Sequence, residues 1–201
     1  HIEGVYTHFS NASLPESNKT ALQIKRFKDI LSYFGDDVSN SVTCHLANSD
    51  GMTYFPESHS DMVRIGLRLY KDAVSLKGRV LHICRVPKGE SVSYNSEFIA
   101  DKETLVAIVS LGYADGVPTS LSNKGRVLIN GRFSSILGRV CMDMICVDLT
   151  PQNGQCSVGD DVVVLGQQGG NHILLDELVE LTGDNPREIT CRIGPRVKRS
   201  V

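Results

Sequence analysis

A chain of 201 residues, 41% hydrophobic and 22% charged, has room for one large domain or two small ones and enough apolar side chains to bury a core. Its 21 basic and 23 acidic residues leave a formal charge of -2 and form no blocks, so nothing favours nucleic acid or an anionic membrane, and a small, nearly neutral partner fits better. Six scattered cysteines without a C-x-x-C pair, no apolar run of the roughly 18 to 20 residues that span a bilayer, and no signal-like start suggest reduced thiols in a cytoplasmic protein and make the sequons at Asn11 and Asn18 accidental.

The chain opens on His1 rather than Met and runs at once into Gly4-Val5-Tyr6, as a sequence entered in its middle would. Residues 3–7 predict a strand. A helix follows, capped by Ser17 or Asn18, with Ile24, Phe27, Leu31 and Phe34 on one face and Gly35 suited to the left-handed position beyond its end. Residues 42–45 predict a second strand, a short helical piece begins at Ser49, and residues 62–65 predict a third strand. This alternation is the grammar of parallel α/β structure, but three parallel strands neither close a barrel nor cover a sheet.

Beyond about Ala73 the pattern turns β-rich, with strands expected over residues 79–86, 91–98, 105–111, 126–129, 135–142, 145–149 and 161–165. Asn130-Gly131 is a hairpin signal, since both residues accept positive φ. Residues 174–181 predict a short amphipathic helix and residues 189–193 a closing strand. The expected fold class is therefore α/β followed by mainly β, the second part antiparallel.

Several segments carry groups able to do chemistry. Ser49 and Gly66 follow the second and third expected strands and offer a hydroxyl and backbone N–H groups to an anion, though either could simply make a turn. His8, His45 and Arg64 sit at neighbouring strand ends and could share a hydrogen-bond network. The six histidines lack metal-ligand spacing, so no metal is expected. Tyr113 lies in Gly112-Tyr113-Ala114-Asp115-Gly116 directly after a strand, where Asp115-Gly116 makes a bend.

Five segments in this order resemble the motifs of the alanine racemase family: Gly4-Val5-Tyr6-Thr7-His8-Phe9, Ala47-Asn48-Ser49, the run from Val63 to Tyr70, Gly112 to Gly116, and Gly138-Arg139-Val140-Cys141-Met142-Asp143. The resemblance implies that residues 1–72 are the last three strands of an incomplete (β/α)8 barrel that binds pyridoxal 5'-phosphate, and that residues 73–201 are the family's antiparallel β domain. It implies racemisation of alanine with a base on each face of the substrate carbon. Tyr113 is one base, and the Schiff-base lysine lies in an N-terminal half of the same enzyme that these residues do not include, so this piece alone is expected to be inactive. A free tyrosine is a poor base near neutral pH and needs cationic or hydrogen-bonding neighbours, and His8, His45 and Arg64 resemble that network.

By the same resemblance Arg64 faces the cofactor's pyridine nitrogen, Ser49, Gly66 and Leu67 hold its phosphate, and Met142 binds the substrate carboxylate through its backbone N–H while Asp143 orients the turn. The family's homodimers complete each site with the partner's β domain, and its D-alanine feeds cell-wall precursors. Three departures stand out. Arg187 occupies the position of a tyrosine that touches phosphate and narrows the entrance, which leaves open a serine or broad-specificity racemase. Ile65 replaces a proline, and the ending Arg196-Val197-Lys198-Arg199-Ser200-Val201 differs from the family's finish. A non-catalytic interaction module that keeps only the fold is the reading from another class.

Overall fold

The structure is a computed structural model that describes residues 2–35, 41–71 and 73–200; His1, Val201 and residue 72 at the expected boundary lie outside the described residues. Two compact units divide between Tyr70 and Lys71.

In the first unit β1 (Gly4–Tyr6) and β2 (Thr43–His45) pair in parallel, with Tyr6 opposite His45. Between them runs α1 (Asn18–Ser32), whose N-cap Ser17 accepts a hydrogen bond from the Lys19 N–H. Ile24 and Phe27 of α1 are buried with Phe9, Val42, Cys44, Leu46 and Phe55, and Leu31 packs against this core. Because α1 stops at Ser32, Phe34 leaves the apolar stripe and is exposed, while Gly35 takes up φ +74°. Two short helices follow, α2 (Ser49–Tyr54) and α3 (Leu67–Tyr70).

The strand expected over residues 62–65 does not form. The Asp61 N–H donates to the Cys44 carbonyl and the Arg64 N–H to the Ala47 carbonyl. These donors are three residues apart, whereas a parallel ladder needs every second residue, so the segment lies along β2 without joining it.

In the second unit, seven strands form one antiparallel sheet: β3 (Leu76–Val86), β6 (Thr104–Val109), β7 (Arg126–Ile129), β8 (Arg132–Leu137), β9 (Ile145–Asp148), β10 (Asp161–Gln168) and β11 (Asn171–Ile173), in the order β11-β10-β3-β6-β9-β8-β7. A further pairing of β10 with β7, Val162 opposite Ile129, closes six of these strands into a ring with β11 outside it. Val106, Ala107, Val127, Leu128, Ile145, Val147 and Val162 to Val164 are almost wholly buried. Asn130 and Gly131 turn the β7–β8 hairpin at φ +50° and +74°.

Several expected elements take another form. Residues 91–98 are not one strand: β4 (Ser91–Val92) and β5 (Phe98–Ile99) flank a turn in which Ser93, Asn95 and Ser96 all have positive φ. The strand expected over residues 135–142 is β8, which ends at Leu137 because Gly138 turns at φ +69°. Residues 174–181 form helix α4 (Leu175–Thr182). The closing strand expected over residues 189–193 does not form: residues 189–191 end a helix, α5 (Pro186–Cys191), which Asn185 caps by accepting from the Arg187 N–H and which Pro186 starts with its preset φ.

Candidate active site

Most of the candidate side chains gather in two groups, one in each unit. In the first, Arg64 reaches the C-terminal ends of β1 and β2 and spends its guanidinium there. Its Nη2 donates to the carbonyls of Thr7 (2.8 Å) and Leu46 (3.1 Å) and its Nη1 to that of His45 (3.1 Å). Nη1 also lies 2.6 Å from His45 Nδ1, and Nη2 lies 3.3 Å from His8 Nδ1. Arginine has no acceptor, so both Nδ1 atoms accept, and a neutral His45 carries its proton on Nε2. The His45 ring stacks on Tyr6 at 5.2 Å between centroids.

Burial and then the Arg64 charge lower the His45 pKa from its ordinary 6.5. The unfolded chain therefore takes up a proton before the folded one does. The stability that the neutral ring contributes is fully present above about pH 6.5 and is lost as pH falls through the lower folded value. Nuclear magnetic resonance titration of the imidazole is expected to show the Nε2–H tautomer and a midpoint below 6.5 that rises in Arg64→Ala.

Ser49 and Gly66 also come together, since the Gly66 N–H donates to Ser49 Oγ at 3.0 Å. Asn48 caps α2 by accepting from the Gly51 N–H at 2.9 Å, which fixes Ser49 at the helix start, and Leu67 opens α3. A Cβ added at Gly66 would meet no atom within 4 Å, so this backbone borders open space.

The second group follows from the sheet register. Val109, the last residue of β6, opposes Ile145, the first of β9, so the loop after β6 and the loop before β9 leave the sheet at the same end. Tyr113 is on the first loop and Met142 on the second. The loops are joined by backbone bonds from the Tyr113 N–H to the Cys141 carbonyl (2.9 Å) and from the Ala114 N–H to the Met142 carbonyl (3.0 Å). Tyr113, 45% exposed, lines an open cavity of about 590 Å³ with Met142, Asp143, Arg139, Tyr94 and Asn95, which distinguishes it from a core tyrosine. Among the described residues no acceptor receives the Met142 N–H.

Asp115 Oδ2 accepts from the Gly112 N–H at 2.8 Å, and Arg196 grips both Asp115 oxygens and also reaches Asp143. Burial raises the Asp115 pKa, but hydrogen bonds from Arg196 and Gly112 and the Arg196 charge outweigh it and hold this carboxyl below its usual range. On β9, burial pushes the Cys146 thiol up to about 11, with Cys141 and Cys84 adding to the rise, so it is an inert packing thiol.

Arg187 lies on α5, outside the residues that line the Tyr113 cavity. Sequence reasoning missed Tyr94, Asn95 and Arg139 as cavity residues and Arg196 as the partner of two loop carboxylates. The positive-φ run around Asn95 leaves only a faint turn signal in the sequence. Arg196 leaves none, because it acts across 81 residues.

The family model described as "Alanine racemase, N-terminal domain" matches residues 1–74, and "Alanine racemase, C-terminal domain" matches residues 73–201. An alanine racemase of Carboxydothermus hydrogenoformans is 41% identical over 98% of this chain and 57% of its own length. One from Clostridium novyi is 34% identical over 98% of this chain and 55% of its own. Among solved structures, the alanine racemase of Streptomyces lavendulae superimposes with a TM-score of 0.89 at 31% identity, covering 98% of this chain and 55% of that one. That of Bartonella henselae, which carries covalently bound pyridoxal phosphate, gives 0.85 at 29% identity, covering 100% of this chain and 56% of that one. The chain thus spans about half the length of the relatives it matches, and from its first described strand to its C-terminal tail it belongs to the alanine racemase family.

Proposed function

We propose that the chain is the C-terminal half of a pyridoxal-phosphate-dependent alanine racemase, with residues 1–72 the end of its cofactor barrel and residues 73–201 its β domain. The observation that carries this reading is the cavity lined by both Tyr113 and Met142, on two loops fixed to each other by backbone bonds. When bound, pyridoxal phosphate supplies the electron sink that makes the Cα–H of an amino acid acidic enough for a protein base. Ser49 with the Gly66 and Leu67 amides would hold its phosphate. The open space at Gly66 supports that fit.

Arg64 would face the pyridine nitrogen. A guanidinium is always charged and is held here by three carbonyls, so it would disfavour a proton on that nitrogen. Tyr113 moves a proton at one face of the substrate carbon, and a lysine from the enzyme's N-terminal half serves the other. The Met142 N–H binds the substrate carboxylate. His8 and His45 support Arg64, and Arg187 pairs with phosphate or borders the entrance. The working form is a cytoplasmic homodimer in which Tyr113 and Met142 serve the partner's cofactor, and without the N-terminal half the chain is inactive.

The complete enzyme loaded with pyridoxal phosphate is expected to interconvert L- and D-alanine; no turnover would reject the assignment in favour of a non-catalytic module. Arg187, in place of an aromatic side chain, favours one second reading, a serine or broad-specificity racemase. Comparing kcat/KM for L-alanine and L-serine decides: alanine is expected to lead, and a strong serine preference overturns that expectation.

A further inference from the structure

We propose that Arg196 is a positioning residue for the reaction: its guanidinium clasps the carboxylates of Asp115 and Asp143 and so fixes the spacing between the Tyr113 phenol and the Met142 N–H. This rests on the catalytic reading of Tyr113 and Met142 given above. Arg196 Nε donates to Asp115 Oδ1 at 2.7 Å and Nη2 to Asp115 Oδ2 at 3.0 Å, while Nη2 also lies 2.7 Å from Asp143 Oδ1. Asp115 stands two residues after Tyr113, and Asp143 follows Met142 directly. One planar cation therefore touches both loops.

An exposed ion pair is normally worth little, because water screens it and two long side chains lose freedom. Two features separate this one from that case. Asp115 is only 8% exposed and also receives the Gly112 N–H, so its charge needs a partner and its position sets the turn that carries Tyr113. The loops are also in direct backbone contact through the bonds from Tyr113 and Ala114, so a shift of either carboxylate is felt by both reacting groups. Lysine cannot substitute, since a single ammonium does not present the planar fork that spans three carboxylate oxygens.

The test uses the complete, cofactor-loaded enzyme and two readouts. In Arg196→Ala, amide hydrogen exchange at Tyr113 and Ala114 is expected to accelerate about tenfold or more while the β6–β9 ladder keeps its protection. Displacement of a catalytic group by about 1 Å can cost about 100-fold, so kcat is expected to fall at least about tenfold, with a smaller change in KM. Arg196→Lys should recover only part of both, and Lys198→Ala, which removes a charge from the same tail, should match wild type. Should Arg196→Ala not fold, Asp143→Ala carries the test, because it breaks the bridge and leaves the Asp115 pair; faster exchange at Ala114 is then expected. Unchanged exchange in these variants overturns the clasp whatever the activity. Faster exchange in an enzyme whose wild type has no racemase activity upholds the clasp and rejects only the catalytic reading.

Discussion

Tyr113→Phe in the complete enzyme is expected to slow alanine racemisation by about 10² to 10⁴-fold, the range that a positioned general acid or base contributes. The substitution removes one oxygen from a residue that is 45% exposed at the cavity wall, so thermal unfolding should be unchanged. The bonds that hold the loop run through the Tyr113 backbone and survive. Racemisation followed by circular dichroism, with cofactor absorbance as a check on loading, separates loss of a proton-transfer group from loss of structure. A variant that racemises at the wild-type rate removes Tyr113 from the mechanism.

Gly112→Ala is expected to be the most damaging small substitution in the β unit. A Cβ there would stand 2.3 Å from the Met142 carbonyl oxygen and 2.4 Å from that of Cys141, and backbone atoms cannot swing aside as a side-chain tip can. Overpacking of this kind costs about 1 to 3 kcal/mol, and contact with two carbonyls argues for the upper end. In a chain of this size about 3 kcal/mol lowers the midpoint of thermal unfolding by about 6 to 12 °C. Relief comes only by prising the Tyr113 loop from the Met142 loop, so activity should fall more than stability. Gly194→Ala is the control: its added carbon meets the Ala114 carbonyl at 3.6 Å, ordinary contact, and should stay within about 0.5 kcal/mol of wild type. Equal behaviour of the two variants would show that the loops are not held as closely as described.

The sequence was most legible where local chemistry decides the outcome. Ser17 announces α1 through a cap, Asn130-Gly131 announces a hairpin through its positive φ, and Leu175 to Leu178 announce α4 through their spacing. It misled where a local pattern fits two structures. Ile189 and Ile193 are four apart, which suits one helix face as well as a β-branched strand, and the stronger signal was the Asn185-Pro186 start. Residues 62–65 are a short, mainly apolar run like a buried strand, yet only the register of hydrogen bonds to β2 decides whether a ladder forms. Strand β11 was missed although Gly169-Gly170, at φ +58° and +86°, is itself a hairpin signal. Candidate site residues in recognised motifs, such as Ser49, Arg64 and Tyr113, could be picked out by the resemblance. The joining of the Arg64, His8 and His45 heads, and of Tyr113 to Met142, depends on sheet topology that no short window contains.

The pairing of β10 with both β3 and β7 has a consequence for how the β unit comes to exist. Until β10 arrives, β3 and β7 are raw edges with unpaired backbone groups, open to wrong partners. Because β10 is the last stave of the ring, the contacts that seal it are far apart in the chain and are slow to find. A chain still emerging from the ribosome therefore carries the Tyr113 and Met142 loops on an unsealed cask, and the cavity they border takes its final shape only after residues well beyond both have been made.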